Sequence, residues 1–311
     1  ISSNQTEATV PVLFPGELIY INGEVKLPIG SAGVGAIRSA VYIIDFNGSK
    51  VVGLDTGSPY TMFARRKTDL DLSRYGSAQN SSGVDYMSQR INIRNGSIQG
   101  PNRDAGMTLL RIDCTYNSFV EQMTFGTADY GLRMHFCLNA RVQNNLYGGL
   151  NYGLYLAHGD WEGASTANSA SNVSQVFQDR HYCTYPSKAA ITVRGSSGVK
   201  LSDCIVEGGE TEIGINFQAL GGTTIKDFTI DGLHLEVADS GSNEGVTRAA
   251  IRIDNKQGGE TTIQRVFAQY NYKKFEWGNR LQKTDTSSAT EATYTLSQDN
   301  GDLTTDGSGT G

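Results

Sequence analysis

The chain has 311 residues, and 26 basic against 32 acidic side chains leave it a net charge of −6, which argues against a nucleic-acid partner. Its 37 glycines and a charged fraction of only 19% exclude a coiled coil or helical bundle. No apolar run approaches the roughly 20 residues of a membrane helix, so no membrane insertion is expected, and Ile1 does not open a signal peptide.

Taken in chain order, residues 1–9 are short and polar and read as the remnant of an upstream segment. Strand-like runs follow at Val12 to Ile21, around a Pro15-Gly16 turn, at Val41 to Phe46 and at Lys50 to Asp55. From Ile93 an eight-residue pattern recurs: apolar, any, polar, then four residues and a Gly. It starts at Ile93, Phe119, Val142, Leu201 and Ile225, ending at Gly100, Gly126, Gly149, Gly208 and Gly232. Weaker copies start at Val173 and Ile263, and the first residues step by 23 to 38. Between these copies lies a second signal, a small residue before apolar-x-apolar. It begins at Gly131, Gly153, Ala190, Gly214 and Ala250, while Leu110-Arg111-Ile112 follows Leu109 instead.

Alternation over three to five residues is the strand period, and a strand, a bend and a second strand repeated every two dozen residues cannot bury one face alone. The expected fold is therefore all-β, a right-handed parallel β-helix (β-solenoid) over residues 10–283. Its coils rise ~4.8 Å each, and Gly supplies positive φ at the corners. Stretches 65–90, 157–172 and 239–246 are predicted insertions on one face. Residues 284–311, rich in Ser, Thr, Asp and Gly, read as a polar linker or tail. Cys114, Cys137, Cys183 and Cys204 form no C-x-x-C pair and are expected to be buried free thiols.

The opening strands, with the Pro15-Gly16 turn and the short sheet Val41 to Asp55, resemble the entry to the single-stranded β-helices of the pectate-lyase-like superfamily, which bacteriophage tailspikes and polysaccharide-degrading enzymes share. The resemblance spans about residues 10 to 280 and rests on pattern. It departs at residues 1–9, which are too short for the family's capping helix. It implies a homotrimer of β-helices set side by side, joined upstream to other virion proteins.

Two places could carry chemistry. Aligning Leu201 to Gly208 with Ile225 to Gly232 sets Asp203 over Asp227 and Glu207 over Asp231. Carboxylates ~5 Å apart are the separation of a retaining glycosidase. The competing reading is a polar corner ladder, since Asn95, Glu121, Asn144 and Gln175 share the Asp203 column. The second place is the segment from Ala157 to Gly163, just after Tyr147, Tyr152 and Tyr155; with His158, Asp160 and Trp161 these tyrosines offer an aromatic platform and hydroxyl acceptors for a sugar, or a contact between protomers. His135, His158 and His181 are each 23 apart but differ in strand register, so no metal and no cofactor are expected. Arg111, Arg133, Arg194 and Arg252 each sit within an apolar-x-apolar strand and point outward.

The expected function is host-cell attachment by a virion tailspike or tail-fibre segment, made in the host cytoplasm. It presents a lateral groove to a surface polysaccharide, with glycan cleavage as a possible addition. A polysaccharide hydrolase or lyase of the same fold and a purely structural virion appendage are the alternatives.

Overall fold

The computed structural model describes residues 9–27, 41–66, 90–157, 177–179, 182–184, 188–194, 197–207, 211–218, 226–236, 249–253, 261–268, 273–277, 281–283 and 291–296. Apart from one 3₁₀ turn at Arg103–Ala105, every regular element among them is a strand. The lowest coil is β1 (Thr9–Leu13), β2 (Leu18–Ile21) and β3 (Val25–Lys26), and on it lie β4 (Val41–Asp45), β5 (Lys50–Gly53) and β6 (Thr61–Arg65), each pair parallel. The next coils are β7 (Arg90–Gln99) with β8 (Thr108–Tyr116), then β9 (Phe119–Leu138) alone, then β10 (Arg141–Gln143) with β11 (Leu146–Ala157). Above them follow β12 (Phe177–Asp179), β13 (Tyr182–Thr184) and β14 (Ala189–Arg194), then β15 (Ser197–Glu207) with β16 (Ile213–Gln218). The stack ends with β17 (Lys226–Glu236) and β18 (Ala249–Ile253), β19 (Thr261–Ala268) and β20 (Lys273–Trp277), β21 (Leu281–Lys283) and β22 (Glu291–Leu296). Long strands such as β9 serve more than one sheet because they turn corners without breaking the ladder.

The result is three columns of parallel strands, an all-β stack consistent with a β-solenoid. The register explains the first sequence signal. Ile44, Ile93, Val120, Val142, Leu201, Ile230 and Ile263 line up inward in the first column, all buried. Ile98, Phe125 and Tyr147 do so in the second, where the Phe125 and Tyr147 rings stack at 5.1 Å. Phe63, Leu110, Leu132, Leu154, Ile191, Ile215 and Ile251 fill the third. Each such side chain contributes ~1.5–3 kcal/mol on burial, which is how so lean a composition supports a continuous core.

The small residue that opens the second signal has a steric cause. Gly131, Gly153, Ala190, Gly214 and Ala250 share one register position at the entry to the third column. A Cβ on Gly214 would lie 2.6 Å from the carbonyl oxygen of Ala250, and one on Gly131 would lie 2.8 Å from that of Gly153. Adjacent coils come too close there for any larger side chain without a shift.

Corner geometry corrects the repeat frame. The residue that turns the chain from the first column to the second has positive φ: Asn95 (+60°), Gln122 (+54°), Asn144 (+53°), Asp203 (+50°), Gly232 (+85°) and Arg265 (+54°). Asn, Asp and Gly tolerate this left-handed region best, which is why they dominate the position. Gly232 is therefore a first-corner residue and does not correspond to Gly208. The first-column position of its coil belongs to Ile230, five residues after Ile225. Likewise Val120 replaces Phe119, and Gln178 occupies the position expected of Val173, which lies outside the described residues.

Side-chain amides tie the coils together. Asn145 is buried, accepts from the Met123 amide at 2.9 Å and donates to the Val120 carbonyl at 2.9 Å. At the third-to-first corner Asn139 donates to Asn117, both with positive φ. Residues 291–296, expected to be tail, form β22, which lies antiparallel on β19 and on β21. The run Thr293-Tyr294-Thr295 has high strand propensity in itself. No helix of the described residues is long and apolar enough to cross a membrane.

Candidate functional site

The stacked acid pairs do not form. The ladder between β15 and β17 pairs Ser202 with Asp231 and Glu207 with Glu236. Asp203 thus stands opposite Gly232, and Asp227 opposite Gly198. The expected frame fails because Gly232 was matched to a strand-end glycine, whereas its φ belongs to the corner that Asp203 turns.

Asp203 and Asp231 instead share one guanidinium: Arg265 Nε donates to Asp231 Oδ1 at 2.6 Å and Nη2 to Asp203 Oδ1 at 3.5 Å. The Arg265 hydrogen bond holds the Asp231 carboxyl below its ordinary range. A general acid needs the opposite shift. With Asp203 and Arg265 both more than half exposed, the trio is a solvated charge ladder. A similar ladder at the other end joins Arg94 and Asn95 to Asp45.

The aromatic candidates divide. His158, Asp160 and Trp161 lie outside the described residues. Tyr147 turns into the bore. Tyr152 and Tyr155 reach the outer face of the third column, where the ladder brings them to two residues the sequence reading did not assemble with them: Tyr130 opposite Tyr152, and Arg133 opposite Tyr155. The rings of Tyr130 and Tyr152 stack at 4.7 Å and 11°, while Tyr155 stands edge-on to Tyr130 at 5.5 Å and 90°. The Arg133 guanidinium lies 4.6 Å from the Tyr130 centroid and 5.1 Å from that of Tyr155. Arg194 Nη1 donates to the Tyr155 hydroxyl at 2.8 Å. The signal that could have found Tyr130 is the twice-written Tyr-Gly-Leu, at Tyr130-Gly131-Leu132 and Tyr152-Gly153-Leu154.

Beneath this cluster lies a buried charged floor. Arg111 clasps Asp113 through Nε at 3.1 Å and Nη2 at 3.0 Å, and Arg65 Nε donates to the Asp113 backbone carbonyl at 3.1 Å. His135 Nδ1 is 3.5 Å from Asp113 Oδ1. Burial, reinforced by the positive charges of Arg111, Arg133, Arg66 and Arg194, pushes His135 well below the ordinary imidazole range, so the ring is neutral at pH 7. Cys137, two residues on, is a free buried thiol pushed up to about 12 by burial and is no nucleophile.

Above Tyr155, in the same register position, come Thr192, Asn216 and Arg252. Both ring nitrogens of His135, Nε of Arg133, Oγ1 of Thr192 and Oδ1 of Asn216 are buried without a hydrogen-bond partner among the described residues. An unsatisfied buried polar group costs ~1–3 kcal/mol, so these four residues leave unmet hydrogen-bonding capacity beneath the surface of this column. Three long connections adjoin this face in sequence: 67–89 and 158–176 leave the third column, and 237–248 enters it. Arg194 sits two residues past the strand centre, level with His135, whereas Arg111, Arg133 and Arg252 share the central position.

Chemically, flat aromatic faces, guanidinium groups and unpaired hydroxyl, amide and imidazole groups suit a ligand with apolar ring faces and many hydroxyls. No group of three or more His, Cys, Asp or Glu among the described residues is placed to hold a metal ion. No protein-family model, curated protein or solved structure matches the chain.

Proposed function

We propose that this protein is a segment of a virion tailspike or tail-fibre-like appendage that attaches to host cells by binding a surface polysaccharide along the outer face of its third strand column. In this reading the stack is a right-handed parallel β-helix, three copies associate side by side, and other virion proteins are joined upstream. The observation that carries it is the half-buried, stacked Tyr130 and Tyr152 pair, with Tyr155 edge-on beneath and Arg133 over the Tyr130 and Tyr155 rings. Rings present flat apolar surface at low entropic cost, and the neighbouring polar groups serve the sugar hydroxyls. The free thiols of Cys137 and Cys204 are in keeping with assembly in a reducing cytoplasm.

Binding rather than hydrolysis is the reading the geometry favours, because the acids proposed for cleavage stand out of register and the pair that does meet is bridged by Arg265, which holds Asp231 in its ionised form. Titration of the chain against capsular and lipopolysaccharide glycans, with reducing ends assayed in parallel, tests this. The expected result is saturable binding without release of reducing ends. Tyr152→Ala should weaken it about tenfold or more, the ~1–2 kcal/mol of a lost aromatic contact. Release of reducing ends that vanishes in Asp231→Asn would replace this reading with the hydrolase.

A further inference from the structure

The third column repeats one local device twice and alters it the second time. Arg111 and Arg133 occupy the same register position on adjacent coils, and two residues later, on the same side, Asp113 and His135 do so as well. In the lower coil the carboxylate of Asp113 neutralises Arg111 at 3.0 Å. In the upper coil the corresponding side chain is an imidazole kept uncharged by burial and by four neighbouring arginines. Arg133 therefore lacks the counter-charge its twin possesses, and it makes no ion pair among the described residues. The acid that feels its charge, Asp129, accepts a hydrogen bond from Asn151 at 2.8 Å and does not bridge to it. Its Nε is buried without a partner, and the rest of the guanidinium rests on the Tyr130 and Tyr155 faces. A guanidinium stripped of water on one side and held by two rings is strongly disposed to bind a planar anion.

We propose that Arg133 is an anion subsite, so that the ligand of this face carries an acidic substituent that supplies the counter-charge Asp113 gives Arg111 one coil below. The inference rests on the glycan-binding reading and narrows it to acidic polysaccharides. The half-buried Tyr130 and Tyr152 rings flank the subsite on one side. His135, fully buried in the position that Asp113 holds one coil below, gives Arg133 no counter-charge and is assigned no chemical step.

The test compares the unaltered chain on hyaluronan, alginate and polysialic acid with the same chain on the carboxyl-reduced form of each polymer, by titration calorimetry at low salt. At least one acidic polymer should bind at least about tenfold more tightly than its reduced form, the ratio expected of one charge-assisted contact. Arg133→Gln should erase that ratio, so that acidic and reduced polymers bind the folded variant alike. His135→Asp should also erase it, because the new carboxylate would do for Arg133 what Asp113 does for Arg111. Equal affinity for the acidic and reduced forms, or a ratio unchanged in folded Arg133→Gln, overturns the anion subsite and leaves glycan binding standing. Failure of every glycan tested, acidic and neutral alike, overturns both. Because the polymer comparison needs no variant, it decides the matter even where Arg133→Gln does not fold.

Discussion

Asp113→Asn is the sharpest test of the buried floor under the third column. Asp113 is completely buried, receives Nε and Nη2 of Arg111, lies 3.5 Å from His135, and its backbone carbonyl accepts from Arg65. The amide is nearly isosteric, so packing survives, but the carboxylate that Arg111 clasps is gone. Removing one member of a buried ion pair costs ~3–5 kcal/mol, because the survivor remains desolvated without compensation. The cost here belongs at the upper end, since Arg66, Arg133 and Arg194 add positive charge around the same point. Guanidinium-chloride unfolding, at fixed protein concentration so that association does not confuse the comparison, should show the midpoint falling with an unchanged slope. Arg111→Met on the same background should recover much of the loss, since removing both charges restores neutrality in an apolar setting. A loss under about 1 kcal/mol in Asp113→Asn, or no recovery in the double variant, would refute the claim that this pair is a buried, mutually dependent unit.

Two further outcomes follow from the same coordinates. His135 is neutral in the fold and protonates below its ordinary value of 6.5 once unfolded, so the unfolded state binds more protons there and stability falls as pH drops. The loss should set in as pH falls through 6.5 and accumulate until the folded-state ring itself protonates, and His135→Gln should flatten this part of the profile in pH-dependent denaturation. In the core, a Cβ on Gly96 would lie 2.2 Å from Phe46 Cβ and 2.8 Å from its Cγ, whereas Gly48, at φ +75°, has nothing within 4 Å. Gly96→Ala should therefore cost ~2–3 kcal/mol through overpacking, and Gly48→Ala only ~1 kcal/mol of backbone strain, a difference that thermal melts of the two variants resolve.

Much of the architecture was legible in the chain. Short alternations, small residues at fixed offsets and a repeat of roughly two dozen residues led to stacked parallel strands, because a strand pair that cannot cover its own apolar face must cover it with a copy. Ile93, Val142, Leu201 and Ile263 were assigned to one inward column and share it. The glycines of the repeat are not equivalent. Gly232 turns a corner with positive φ, as Asp203 does one coil below, so a frame anchored on it slipped by five residues and produced acid pairs that the ladder does not contain. Sequence spacing does not distinguish a glycine needed for its dihedral angle from one needed for close approach.

The candidate site shows the same division. Composition and local pattern determine that strands form, which positions face inward, and that tyrosines and arginines fall on outward positions, because those choices depend on neighbours two residues away. Which Tyr meets which, that Arg111 finds Asp113 while Arg133 faces His135, and that His135 is stripped of water and charge, are settled by register between coils 22 or more residues apart. That register depends on the lengths of corners and connections, which hydrophobic alternation leaves unspecified. Only the assembled stack fixes them, by making every coil bury the one beneath it.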